Sequence, residues 1–113
     1  MTKADLRALH KLAELRALRS AADLAKRQTV VSALEAQAAP LRQTASCETA
    51  DISQLMVQEK HDLWRADQLS RLTLQLAQAQ AAAQPYREAH ARDTARAKVI
   101  ERLMATQNRR RRA

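Results

Sequence analysis

LSRLTLQLAQAQAAAQPYREAHARDTARAKVIERLM, residues 69–104, decides the fold. Within it Leu69, Leu72, Leu76, Ala79, Ala83, Tyr86, His90, Asp93, Ala97, Ile100 and Met104 recur at steps of three and four, with Asp93 the odd member. That spacing writes one seam along a helix that packs against another helix. Upstream, Ile52, Met56, Leu63 and Ala66 carry the same face back, interrupted by Glu59, to Asp51, which with Gln54 offers an N-cap. The reading predicts a second helix over about 51–108, roughly 85 Å long at 1.5 Å per residue. Gln84-Pro85 is expected to bend it.

The first helix is equally marked. Thr2 with Asp5 forms a capping box. Leu6, Leu9, Ala13, Ala17, Ala21, Leu24, Val31, Leu34, Ala38 and Leu41 then give its inward face. Pro40 is expected to end or kink this helix near residue 39. Residues 42–50 lose the apolar period and collect hydroxyls, which predicts a turn over about 40–50. With that turn centred near residue 45 or 46, facing residues have numbers summing to about 91. Leu6 would then meet Pro85, and residues 86–113 would overhang. The expected fold is all-α: two long helices in an antiparallel coiled-coil hairpin, the second longer and overhanging, in a single domain with a basic tail at 109–113.

Composition excludes the alternatives. The 113 residues contain no Gly, no Phe, two Pro, one Trp, one Tyr and one Cys. Sheets draw on β-branched and aromatic residues, and hairpin turns on Gly. Neither is supplied. Of the apolar 46 %, 25 residues are Ala, enough for close helix crossings but short of a globular core, so an elongated object is expected. No Gly-rich phosphate loop can be built. A lone Cys47 excludes an intramolecular disulfide and suits a reducing compartment. No run of about 18 apolar residues is present, and the N-terminal stretch lacks a signal-peptide apolar core. A cytoplasmic location is expected.

Leu6, Leu9, Leu12, Leu15 and Leu18 repeat every third residue. Each such step falls about 60° short of a full turn, so the five spiral over about 240° of helix surface. One partner helix covers only a narrow seam. Two readings stand for the remainder: a third helix or a second copy packs there, or this end enters a protein socket.

The net charge of +8 is uneven, with residues 1–91 carrying 12 basic and 10 acidic side chains and residues 92–113 carrying eight basic against two acidic. The basic residues of the latter are Arg92, Arg96, Lys98, Arg102, Arg109, Arg110, Arg111 and Arg112. They predict an acidic or phosphate-bearing partner. Nucleic-acid binding through the Arg run is one reading, although Tyr86 alone offers stacking there. Anionic lipid is another, without the Trp or Phe of an interfacial anchor. An acidic protein surface is favoured.

No catalytic, metal or cofactor constellation is expected. His10 would face residue 81, His61 would face residue 30, and His90 would lie in the overhang, so no general base acquires a partner. The expectation is a protein that is not an enzyme and uses no cofactor.

A short Gly-free antiparallel helical pair with a basic second helix resembles the FliJ family of the flagellar export apparatus. It is also similar to stalk proteins of type III secretion. Lys98-Val99-Ile100-Glu101-Arg102-Leu103 is similar to a Lys-x-x-Glu-x-Leu pattern in that family's last helix, and the Leu/Arg/Ala-rich opening, Leu6 to Leu24, is similar in texture. The chain departs from the family in its shortness, in lacking aromatics near the N-terminus and in ending on four Arg. The resemblance implies a stalk that contacts a ring-shaped export ATPase. Its candidate contacts are Leu6, Leu9, Leu12, Leu15, Arg92, Arg96, Lys98, Glu101, Arg102, Leu103 and Arg109 to Arg112. It also implies a second contact with an export-gate component, for which Leu34, Leu41, Leu55, Leu63 and Trp64 are the exposed apolar candidates. Any membrane association would then be peripheral, through the complex. Two other classes stay open: a basic helical nucleic-acid-associated protein, and a self-associating structural coiled coil.

Overall fold

The computed structural model describes residues 2–43 and 51–112. Among them the chain forms two helices, α1 (Lys3–Arg42) and α2 (Ile52–Arg112), and no strand. The all-α antiparallel hairpin is therefore the fold, and the second helix is the longer, 61 residues against 40. The centre of the expected turn and Cys47 lie outside the described residues.

Both helix starts are fixed by the expected caps. The Thr2 backbone N–H donates to Asp5 Oδ2 at 3.1 Å, and the Asp5 N–H returns to Thr2 Oγ1 at 3.2 Å. These reciprocal bonds satisfy two donors that a helix N-terminus otherwise leaves unpaired. Asp51 caps α2 through Oδ1, 2.8 Å from the Gln54 N–H.

Both helices run further than their sequence limits. α1 continues through Pro40 to Arg42, and the Gln43 N–H closes the last turn on the Pro40 carbonyl at 3.3 Å. Pro40 has no N–H to give to the Ala36 carbonyl, so it costs one backbone bond near the helix end without terminating the helix there. α2 runs through Pro85 and takes Arg109 to Arg112 into its last turn. Four guanidinium groups there face the negative end of the macrodipole.

The chain divides into two units, one of Met1–Gln28 with Ala82–Ala113, the other of Thr29–Ala81. In the first, His10 meets Glu101, Ser20 meets His90 and Arg27 meets Tyr86. The facing numbers sum to 110–113 in these pairs, so the expected sum of 91 is wrong by almost three heptads. Residues 86–104 do not overhang; they lie along α1. The physical reason is seam length. The inward face of α1 spans Leu6 to Leu41, and the uninterrupted heptad of α2 spans Leu69 to Met104, the same 36 residues. Pairing these two seams matches them along their whole length, whereas a sum of 91 would set α1 against the stretch broken by Glu59.

Each unit has a thin core. In the first, Leu6 and Ala83 are buried, and Ala83 is wholly inaccessible at 0 %. In the second, Val31 and Ala38 are buried. Every seam residue expected from Leu6 to Leu41 and from Leu69 to Met104 is buried or half-buried, whereas Ile52, Met56, Leu63 and Ala66, expected to carry the same face, are exposed. Alanine at Ala13, Ala17, Ala79 and Ala97 brings little volume to the seam, which allows close packing.

In the second unit the Arg65 guanidinium donates to the Gln43 carbonyl at 2.8 Å. The end of α1 therefore lies level with Arg65. α2 begins 13 residues earlier, at Ile52, which at 1.5 Å per residue is about 20 Å of helix without a facing α1 residue. The longer helix does overhang, but at its start.

Candidate functional site

The leucine spiral emerges from the seam in the first unit as its angular drift requires. Leu6 is buried and Leu9 half-buried, whereas Leu12, Leu15 and Leu18 are 63 %, 62 % and 67 % exposed. Leu12 lines a groove of about 540 Å³ with Leu9, Ala13, Val99 and Ile100, and the charged Arg16, Arg96 and Asp93 line it too. Leu18 lies on the other flank of the helix pair, beside Ala21, Thr94 and Lys98. Leu15 falls between them on the outer surface. Val99 and Leu103 extend the exposed apolar surface onto α2.

Charge gathers in the same unit. It carries 16 basic and six acidic side chains, a net of +10, while the second unit carries four and six, a net of −2. Division of the sequence at residue 91 hid this concentration, because Lys3, Arg7, Lys11, Arg16 and Arg19 of α1 belong with the basic face of α2. Arg92, Arg96, Lys98, Arg102 and the four terminal Arg are all exposed. The Arg96 guanidinium approaches Asp93 at 3.9 Å, a loose exposed pair of little energetic weight. The expected terminal contact residues therefore lie in one unit, with Leu6 the exception in accessibility.

Polar contacts fix the helix pair at this level. Ser20 Oγ donates to the Ala17 carbonyl at 3.0 Å and lies 3.2 Å from His90 Nδ1. The direction of the Ser20–His90 hydrogen bond follows the tautomer of the imidazole. The Arg27 guanidinium donates to Tyr86 Oη at 3.0 Å and lies 4.8 Å from the ring centroid, a cation–π contact. Turning the Gln28 amide to present its oxygen gives it bonds of 2.9 and 3.1 Å from Arg87.

The expected positions of the histidines change with the register. His10 does not face residue 81. Its Nε2 lies 3.4 Å from Glu14 Oε1, one turn on, and 3.4 Å from Glu101 Oε1 across the seam. His90 lies in the paired region. In the second unit His61 stacks on Trp64 with ring centroids 5.7 Å apart. The convergence at His10 escaped sequence reasoning for one reason: His10 and Glu14 share a face at i, i+4, but Glu101 joins them only once the register is known.

The second candidate surface splits. Leu34 and Leu41, expected to be exposed, are half-buried in the seam because they lie on its inward face. Leu55, Leu63 and Trp64 are exposed, and Ile52, Met56 and Val57 join them on the part of α2 that precedes Arg65. Their exposure follows from the overhang at the start of α2, which the expected register placed at the opposite end.

Among the described residues no helix is long and apolar enough to cross a membrane. No protein-family model matches the chain, and neither a curated protein nor a solved structure matches it.

Proposed function

We propose that the chain is a non-enzymatic coiled-coil stalk or adaptor of a flagellar-type protein export apparatus, acting in the cytoplasm at the membrane-associated machinery. The observation that carries this reading is the coincidence, in one unit, of a net charge of +10 with exposed Leu12, Leu15, Leu18, Val99 and Leu103. A surface both basic and leucine-rich suits an acidic protein socket with apolar walls. Duplex nucleic acid would use the charge alone. The resemblance of Lys98 to Leu103 to the FliJ pattern names the socket as a ring-shaped export ATPase. Leu55, Leu63 and Trp64 of the second unit supply the contact to an export-gate component.

The test is reconstitution of the full chain with a flagellar export ATPase, at low and high salt, beside the L12E/L15E/L18E variant and a chain truncated after Gln107. Co-elution with the ATPase, weakened by both changes, supports the proposal. Retention of nucleic acid alone, lost at high salt, overturns it in favour of phosphate binding. A dimer that dissociates on dilution and vanishes in the leucine variant, without ATPase binding, overturns it in favour of a self-associating coiled coil.

A further inference from the structure

His10, Glu14 and Glu101 bring three ligand atoms within 4.8 Å of one another, two from one face of α1 and one from α2. His10 Nε2 is shut off from solvent and makes no hydrogen bond. Its two separations of 3.4 Å from carboxylate oxygens exceed the 2.7–2.9 Å typical of a charge-assisted N–H···O⁻ bond. Without an intervening cation or proton, a nitrogen lone pair and two anionic oxygens would converge on one another. For a tetrahedral ion with ligand bonds near 2.05 Å, the distance between neighbouring ligand atoms is about 3.3 Å. Both nitrogen–oxygen separations match that edge, whereas the two carboxylate oxygens, within 4.8 Å of each other, must draw together by rotation of their exposed side chains to share an ion.

We propose that His10 Nε2, Glu14 Oε1 and Glu101 Oε1 bind one divalent ion of the zinc class, with water completing the coordination. The two carboxylates balance the ion's charge within a unit that is otherwise strongly basic. One imidazole and two carboxylates form a nitrogen and oxygen donor set suited to zinc, cobalt or manganese. The His10–Glu14 step of four places both ligands on one helix face, and Glu101 makes the site bridge α1 and α2. Bound ion therefore ties the N-terminal turns of α1 to α2 beside the leucine spiral. The site does not rest on the export reading, although Glu101 belongs to both.

The test uses the full chain with Cys47→Ser, so that no thiol competes for metal. Cobalt(II) is titrated and followed by its visible absorption, then displaced with zinc. Binding of one equivalent, weakened more than tenfold in both H10A and E101Q but unchanged in E59Q, supports the site. Zinc should raise the melting temperature of the parent chain and leave that of E101Q unmoved. Glu101 is exposed, so E101Q keeps the helix pair, which far-ultraviolet circular dichroism checks. No uptake, or uptake undiminished in H10A and E101Q, overturns the proposal.

Discussion

His90 Nδ1 lies 3.2 Å from the Ser20 hydroxyl, 70 residues away in sequence, and that hydroxyl is anchored on the carbonyl one turn before it. The pair sets Ser20 level with His90, and with it the level of every other residue in the unit. A cysteine pair reads this level directly. In a Cys47→Ser chain, A13C/A97C should cross-link through a short thiol-specific linker in high yield, because the two seam positions face each other. L6C/P85C, the pair demanded by a sum of 91, should not. A reversed outcome on a denaturing gel would overturn the register.

Ala83 has no accessible surface and so no room to grow. Ala83→Leu forces a larger side chain into a close helix crossing and should destabilise the pair by about 1–3 kcal/mol. Leu6→Ala removes volume from the other buried position of the same unit and should cost about 2 kcal/mol or more. Urea unfolding followed at 222 nm measures both, and a neutral Ala83→Leu would contradict the close crossing.

Asp5 ties the start of α1 to pH. A hydrogen bond from the Thr2 side chain, followed by one from its backbone N–H, lowers the Asp5 pKa below the ordinary carboxylate value. A group with a lowered folded pKa contributes stability that is present above its unfolded pKa and lost as pH falls through the folded one. Thr2→Ala should therefore lower the melting temperature at neutral pH, and the difference from the parent should shrink in acid below the ordinary carboxylate range. A difference constant through that range would remove Asp5 from the cap.

Trp64 is 53 % exposed on a stretch of α2 that, among the described residues, extends past the end of α1. Its fluorescence should be readily quenched by acrylamide, and Trp64→Ala should change stability by no more than about 0.5 kcal/mol. Protection of Trp64 in the isolated chain at high dilution would show that something within the chain covers it.

The parts of this fold written in local pattern were legible. Thr2 with Asp5, and Asp51 with Gln54, announced both helix starts, and steps of three and four named each seam residue from Leu6 to Met104. That part of the leucine spiral would leave the seam was legible because angular drift along a helix is local geometry; Leu12, Leu15 and Leu18 are that part. The register was not local. It depends on how two seams match, and a heptad seam can slide by seven residues with each apolar face still inward. The equal spans of Leu6 to Leu41 and Leu69 to Met104 were the available signal. The site followed the register: Arg92 to Leu103 were identified as residues, but their company with Arg7, Lys11, Arg16 and His10 was hidden. Leu34 and Leu41 belonged to the inward face by their spacing, and only the family resemblance had placed them on the surface.

An interface built on alanine discriminates poorly between neighbouring alignments, since a shift of one heptad exchanges one methyl for another. Sliding α2 by seven residues in the first unit would set His90 against position 27 or 13, where no serine hydroxyl waits, and would part Tyr86 from Arg27. Ser20–His90 and Arg27–Tyr86 thus act as index marks on an otherwise smooth scale. Erasing both, as S20A/R27A, would yield a chain of unchanged helicity that samples several alignments, each displaying the leucine spiral beside a different stretch of the basic helix.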